Sequence, residues 1–487
     1  MPPLGSRMLI DGQLFGPEGR RSFANLDPAT EEVIGEVPEA EAGDVERAIG
    51  AARRAFDTSK WSADVAFRRH CLTQLQAALR EHAEELRDLV VSEAGTPVAL
   101  THGIQLNGPI EFISHYIGLI DTYEFERALP DVESRGQVSS RLVRREAAGV
   151  VVAITPWNYP LYLAIAKVSA ALAAGCTVVL KPAPDTPATA LALGELAARH
   201  TDIPAGVLNV ITTTDNSLAG ILTSHPDVDA VTLTGSTATG RKVMAAASET
   251  VKRVTLELGG KSAAVLLQDA DVSAVVPMVA GTVCVHAGQG CAALTRLVVP
   301  RAKYDETVAL SAAVLQRVPW GDPRDPANLM GPVVNARQRD SILAYFESAR
   351  QGGRIVTGGK RSDRFDRGYY IEPTLIADVD AKSAVAQEEI FGPALVVLAY
   401  DDEEDALRVA DSTIFGLSGA VYSPDTERAL DFARRMRTGT VGVNGGNWFD
   451  VGSPFGGYKQ SGLGREWGTE GLEEFLEVKT IAFPASA

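Results

Sequence analysis

Val150-Val151-Val152-Ala153-Ile154 is followed by an apolar run from Leu161 to Ala174 and then by Thr177-Val178-Val179-Leu180. The outer two runs are short and β-branched, which suits strands. The middle one is of helical length. The alternation continues with a helix over Pro187 to Arg199, strands over Val207 to Ile211 and Val228 to Leu233, a helix over Ala238 to Ala247 and a strand over Val254 to Leu256. Strands separated by helix-length crossovers form βαβ units, whose parallel sheet is covered on both faces. A second series of the same kind starts near Asp269 and continues to about Val443. The fold class expected is therefore α/β, with two doubly wound parallel-sheet domains in series.

The flanks read differently. Met8 to Phe15 places apolar runs on either side of Asp11-Gly12, which predicts a hairpin. Helices are expected over Val45 to Phe56 and over Phe67 to Glu93, the latter with Leu72, Leu75, Leu79 and Leu86 at helical spacing. Residues 125–146 are largely polar and contain an extended stretch from Gln137 to Arg144, and Val478 to Phe483 is a second isolated strand. Two such strands either pair across a subunit boundary or cap an edge within the chain.

At 487 residues the chain exceeds one ordinary core. With 45% apolar and 22% charged residues it has the composition of a globular protein. A net charge of −16 argues against a nucleic-acid or acidic-membrane partner. The first residues carry no apolar core of signal-peptide length, and no apolar run is of membrane-spanning length, so a cytoplasmic protein is expected. Four cysteines without a CxxC pair exclude a disulfide scaffold. Seven scattered histidines without ligand spacing predict no metal.

The chemistry is concentrated in glycine-rich bends. Cys291 ends Gly288-Gln289-Gly290-Cys291, and Glu257 opens Glu257-Leu258-Gly259-Gly260. A thiol and a carboxylate in such places suit a nucleophile and a general base acting on a carbonyl. A cysteine can equally be a small buried hydrophobe, which suits Cys284 and Cys176 better. Gly235-Ser236 opens a helix after a strand, so it is either an anion site or a plain N-cap. Lys181 ends a strand of the same sheet, where ligands of parallel sheets sit. Asn158 lies in a turn stiffened by Pro156 and Pro160 and offers an amide donor to an oxyanion, or forms a local turn. The segments Glu389-Ile390-Phe391-Gly392-Pro393 and Pro454-Phe455-Gly456-Gly457-Tyr458-Lys459 declare no chemistry by themselves.

Taken in order, these segments resemble the aldehyde dehydrogenase superfamily: Pro156-Trp157-Asn158, Lys181-Pro182, Gly235-Ser236, Glu257 to Lys261, Gly288 to Cys291, Glu389 to Pro393 and Pro454 to Lys459. The resemblance implies a Rossmann-like cofactor domain over 1–124 and 147–258. It implies a catalytic domain over 259–470 and a small β oligomerisation arm from 125–146 and 471–487. It implies oxidation of an aldehyde to the acid through a cysteine thiohemiacetal and thioester, with hydride transfer to NAD(P). Cys291 is then the nucleophile and Glu257 the base for water. Asn158 and the Cys291 N–H hold the oxyanion, and Lys167 with Glu466 supports proton traffic. A lowered cysteine pKa is required, from the cofactor's positive ring and backbone dipoles. Ile154, Thr155, Pro156, Trp157, Lys181, Gly235, Ser236, Gly240, Leu258, Glu389 and Phe391 fall at cofactor positions. Tyr162, Ala166, Trp448 and Phe449 fall at the substrate pocket. The presence of Glu257 favours release of a free acid over transfer to coenzyme A.

Two positions depart from the family pattern. Three residues after Lys181, where NAD-preferring members often carry Glu, this chain has Pro184 followed by Asp185. NAD is expected, with NADP left open. Ala166 replaces a large aromatic of some relatives, which predicts a roomier channel and a bulky or apolar aldehyde. The partners expected are a small aldehyde and further copies of the chain, as a dimer or tetramer. The alternatives are a semialdehyde dehydrogenase, with Arg296 the one arginine near Cys291 in sequence, a cofactor-independent thiol esterase, and a binding protein without turnover.

Overall fold

A computed structural model describes residues 3–485. Its first sheet has eight strands, in the order Gln13–Phe15, Met8–Ile10, Leu208–Val210, Thr177–Lys181, Val150–Ile154, Ala230–Thr234, Arg253–Glu257 and Gly462–Leu463. The five strands between Leu208–Val210 and Arg253–Glu257 are parallel to their neighbours, and the outer three pair antiparallel. Val150–Ile154 sits in the middle because it is apolar on both faces, which only a doubly covered strand tolerates. The chain winds outward from it in both directions. The switch point therefore lies between Val150–Ile154 and Ala230–Thr234, where a doubly wound sheet opens a crevice at its carboxyl edge.

The helix Pro160–Ala174 is buried along its whole length, with no polar face to turn to water. It ends at Gly175, whose φ of +96° makes the left-handed cap. The run expected as one helix over Phe67 to Glu93 is two, Val65–Glu81 and Ala83–Ala94. His82 between them leaves the helical region at φ −99°, ψ 20°. Seven residues separate Leu79 from Leu86, two full turns, so the apolar spacing survives the break and hides it. A helix over Asn216–Ser224, capped by Asp215 accepting from the Ser217 N–H at 2.8 Å, was not expected.

The second sheet has seven strands, in the order Arg354–Thr357, Thr374–Ala377, Ala394–Tyr400, Leu294–Pro300, Ser262–Leu266, Ser418–Tyr422 and Thr440–Val443. All its pairs are parallel except the outermost, Arg354–Thr357 with Thr374–Ala377. Each sheet has its own apolar core. The first core takes back the end of the chain. Gly462–Leu463 pairs on the edge of the first sheet, and Trp467, Leu472, Phe475 and Leu476 pack into the first core. Part of the stretch drawn as 259–470 thus lies with the first unit.

The two isolated strands meet each other. Leu476–Pro484 pairs antiparallel with Gln137–Ala147, in register from Leu476 opposite Ala147 to Pro484 opposite Ser139. A third strand, Glu126–Ser134, completes the small sheet. Its outer strand exposes Val478, Ile481 and Phe483.

Candidate active site

Cys291 stands between two hollows. One is a cleft of about 280 Å³ lined by Pro156, Trp157, Gly235, Ser236, Leu258, Glu389 and Phe391 among others. The other is a cavity of about 570 Å³ that includes Tyr162, Glu257, Trp448, Phe449, Phe455 and Glu466. Cys291, Asn158 and Thr234 belong to both.

The approach to Cys291 is a strained turn. His286, Ala287 and Gly288 take consecutive positive φ values of 50°, 54° and 72°. At Gly288 a Cβ would sit 2.1 Å from the Gly392 carbonyl oxygen, so no other residue fits. Gln289 then locks the turn, its Oε1 accepting from the Val334 N–H at 2.9 Å and its Nε2 donating to the His286 carbonyl at 3.1 Å. The Gln289 carbonyl accepts from Asn158 Nδ2 at 2.8 Å. An amide has two N–H donors, so Asn158 is oriented by one and keeps the other. The Asn158 carbonyl oxygen of the backbone accepts from Gln105 Nε2 at 3.2 Å, which holds the loop from the other side.

Glu257 ends its strand buried, and neither carboxylate oxygen has a partner. Burial, then repulsion from Glu466, raises its pKa well above the carboxylate range, against the pull of Lys167 and Arg465. Glu466 is ion-paired with Lys167, whose Nζ also donates to Thr232 Oγ1 at 3.1 Å. The pair expected from the sequence is thus formed, with Lys167 itself buried. By the protein's own groups the Cys291 thiol is raised. Burial and the carboxylates Glu389, Glu257 and Glu466 push it up, and the Ala292 N–H offsets little of this. Cys176 and Cys284 are buried and their thiols too are raised, as inert core cysteines.

In the cleft, Ser236 Oγ accepts from the Thr239 N–H at 3.2 Å and so caps the helix Thr237–Ala247. Glu389 Oε1 accepts from the Gly260 N–H at 2.8 Å. Burial raises its pKa to about 7, opposed by that bond and by Lys261. The Phe391 ring meets Trp157 edge-on, centroids 5.3 Å apart. Lys181 is buried at the end of its strand, its Nζ on the Pro182 carbonyl at 3.0 Å, and burial lowers its pKa to about 8. Ile154, Thr155, Lys181 and Gly240 do not line this cleft. Gly240 admits Leu258 instead, whose Cδ1 would lie 2.7 Å from a Cβ there. Asp185 is engaged by Asn335 Nδ2 at 2.7 Å. Gln338, Ser341 and Tyr345 complete the wall and were missed, although they share one face of the helix Ala336–Gly352 at i, i+3 and i+7.

Tyr162, Trp448 and Phe449, expected at the substrate pocket, line the cavity. Ala166 does not line it. It is buried within Pro160–Ala174, so its small size opens no channel. The sequence reading also missed Ile104 and Phe112, which come from segments without a motif, and Phe455, whose segment was noted without a pocket role. Arg296 is no substrate anchor, because its guanidinium donates to the carbonyls of Lys261, Val409 and Ala410 at 2.8, 2.9 and 2.6 Å. Among the described residues no cluster of His, Cys, Asp and Glu could hold a metal, and no helix is long and apolar enough to cross a membrane.

Comparison with known proteins agrees with this geometry. The model of the aldehyde dehydrogenase family matches residues 15–481. Geranial dehydrogenase of Castellaniella defragrans is 38% identical over 475 residues, covering 97% of this chain and 98% of its own. A 3-succinoylsemialdehyde-pyridine dehydrogenase of Pseudomonas is 39% identical over 481 residues, covering 97% of each. The solved structure of aldehyde dehydrogenase C from Pseudomonas syringae, a C291A mutant with NAD+ and octanal, superposes with a TM-score of 0.93 at 38% identity, covering 99% of this chain and 97% of that one. Matched over nearly its whole length, the chain belongs to the aldehyde dehydrogenase family.

Proposed function

We propose that this chain oxidises an aldehyde to the free carboxylic acid with NAD, and that Cys291, Glu257 and Asn158 carry the chemistry. The observation that carries the reading is the position of Cys291, open to a glycine-lined cleft on one side and to a cavity holding an unpartnered Glu257 on the other.

The cleft fits a dinucleotide. It lies at the switch point, and two buried hydroxyls at the strand ends there, Thr155 Oγ1 and Thr234 Oγ1, have no partner. The first turn of Thr237–Ala247 offers its N–H groups to a pyrophosphate beside Gly235 and Ser236. Lys181 would take the adenosine ribose, Glu389 the nicotinamide ribose, and Trp157 with Phe391 the flanks of the ring. Pro156 and Leu258 line the cleft, while Ile154, Thr155 and Gly240 lie outside its lining. The bound nicotinamide supplies the hydride acceptor.

Cys291 Sγ attacks the carbonyl carbon and a C–S bond forms. Its proton leaves through Glu257, which shares the cavity. The oxyanion is held by the free N–H of Asn158 and by the Cys291 backbone N–H. After oxidation the thioester remains on Cys291. Glu257 takes a proton from water, the hydroxide adds to the thioester carbon, the C–S bond breaks and the thiolate leaves. The raised pKa of Glu257 makes it a stronger base than a surface carboxylate, and the Lys167–Glu466 pair gives its proton a way on. The exposed apolar edge of Leu476–Pro484 supports assembly with further copies of the chain, as a dimer or tetramer.

The test is reduction of NAD and of NADP by an aldehyde panel, with wild type beside Cys291→Ala. Cysteine-dependent reduction is the expected result. Nucleotide binding without reduction of either cofactor by any aldehyde would overturn it.

A further inference from the structure

The family names many aldehydes, and the choice among them lies in the 570 Å³ cavity, whose size is that of a small-molecule site. Among the described residues, Glu257 and Glu466 are the only charged side chains in the wall, and Glu466 is already paired with Lys167. No lysine, arginine or histidine among them lines it. A substrate carboxylate or phosphate would be buried against apolar groups, and beside two carboxylates. The apolar wall includes Ile104, Phe112, Tyr162, Leu163, Val285 and the aromatic group around Phe449, with Asn158, Tyr159, Thr234 and Thr282 as its neutral polar members.

Three rings of the wall, Trp448, Phe455 and Tyr162, each give one face to a neighbour. Trp448 stacks on Phe455 with centroids 5.6 Å apart and planes at 10°. Tyr162 stacks on Trp467 at 5.8 Å and 27°. A cation held by ring faces needs those faces open. Behind this wall, Trp467 is only 1% exposed and lies outside the cavity lining. Its Nε1 donates to the Tyr162 hydroxyl at 2.8 Å, and its indole stacks on Tyr116 at 5.7 Å and meets Phe112 edge-on at 5.6 Å. The bond takes the polar tip of Tyr162 out of the cavity. Trp467 also holds a φ of +64°, which a bulky residue adopts only where its surroundings enforce it. It follows Glu466 directly, and Glu466 is fixed to Phe455 by two backbone hydrogen bonds of 2.7 Å.

We propose that this site takes an uncharged aldehyde with an apolar body, and that Trp467 is the positioning residue that sets the wall selecting it. The inference rests on the aldehyde-oxidising reading above and deepens it. Ala166, one turn beyond Tyr162 on the same helix, is small, yet the indole over Tyr162 keeps the wall closed.

The full-length protein with NAD is assayed on straight-chain aldehydes from propanal to decanal, with succinic semialdehyde as the anion and betaine aldehyde as the cation. The expected result is a rise in kcat/KM of about fourfold per methylene until the cavity is filled, the equivalent of ~0.8 kcal/mol. Both charged aldehydes should fall at least about a hundredfold below an uncharged one of equal length. A flat series, or a charged aldehyde as the best substrate, overturns the proposal. Trp467→Phe keeps an apolar ring but loses the bond to Tyr162, and Tyr162→Phe removes only the hydroxyl. Either should move the best chain length, and Trp467→Phe should keep propanal kcat within about threefold of wild type. An equal loss on every aldehyde would make Trp467 a structural residue only. Should the wild type oxidise no aldehyde, Cys291→Ala is titrated with 1-octanol, choline and hexanoate, following tryptophan fluorescence. Octanol binding alone would uphold the apolar site while the reaction reading fails, and no preference for octanol would overturn the site as well.

Discussion

The two hollows beside Cys291 are built on opposite principles. The cofactor cleft is made of loops that follow strands directly: Pro156-Trp157-Asn158 after Val150–Ile154, Gly235-Ser236 after Ala230–Thr234, Leu258-Gly259 after Arg253–Glu257. Its groups are placed by backbone, and backbone geometry leaves marks in sequence as glycine, proline and short motifs. The substrate cavity gathers Ile104, Phe112, Tyr162, Val285, Trp448 and Phe455 from four separate stretches of the chain. Its requirement is volume and polarity, which any apolar residue in reach can meet. One hollow is specified by position, the other by filling, so variants on each side should fail differently.

The sharpest division comes at the shared residue. Cys291→Ala should lower turnover by on the order of 10^5-fold while leaving the dissociation constant of NAD unchanged, as read by calorimetry. Loss of both together would mean that the two hollows are not separable. Glu257→Gln should cost about 10^3-fold in steady-state turnover. The first equivalent of nicotinamide should still be reduced as a burst, since the carboxylate is needed to hydrolyse the thioester. The pH profile carries a sign. The base acts ionised, and burial with Glu466 holds its pKa well above the carboxylate range. Wild-type turnover should therefore rise with pH past the point where an ordinary carboxylate is fully ionised, and Glu257→Gln should lose that limb.

Asn158→Ala removes one oxyanion donor and should lower kcat by about 10^2-fold with KM little changed. On the substrate side, Phe449→Ala should cost about 30-fold in kcat/KM for an apolar aldehyde, from ~2 kcal/mol of lost apolar contact, again with NAD binding intact. A change in NAD affinity here would blur the distinction between the hollows. The smallest effect belongs to the cofactor side. Burial lowers the Lys181 pKa to about 8, and its charged form is the one that favours a ribose or phosphate oxygen. NAD affinity should weaken a few-fold as pH rises through about 8, and the trend should vanish in Lys181→Met.

Several sequence expectations survived because strong local rules produced them. The alternation from Val150 onward, the hairpin at Asp11-Gly12 and the Lys167–Glu466 pair all stand in the structure. Others needed the third dimension. The break at His82 was concealed by a spacing of two full turns. Gln137–Ala147 and Leu476–Pro484 find each other across more than three hundred residues of chain, and nothing in either strand names its partner. Ala166 promised a wider channel, but its neighbour in space is the wall behind Tyr162, backed by Trp467 from the other end of the molecule.

The sequence alone determined the class of fold and the family, and it pointed to the proposed nucleophile, base and oxyanion donor, because each depends on residue type at a fixed place after a strand or in a glycine turn. The tertiary structure decided what those groups face. It set the thiol of Cys291 among carboxylates that raise it, left Glu257 without a hydrogen-bond partner, and turned the Tyr162 hydroxyl onto Trp467. Burial, charge proximity and cavity shape are sums over residues distant in the chain, and such sums exist only once the chain is folded.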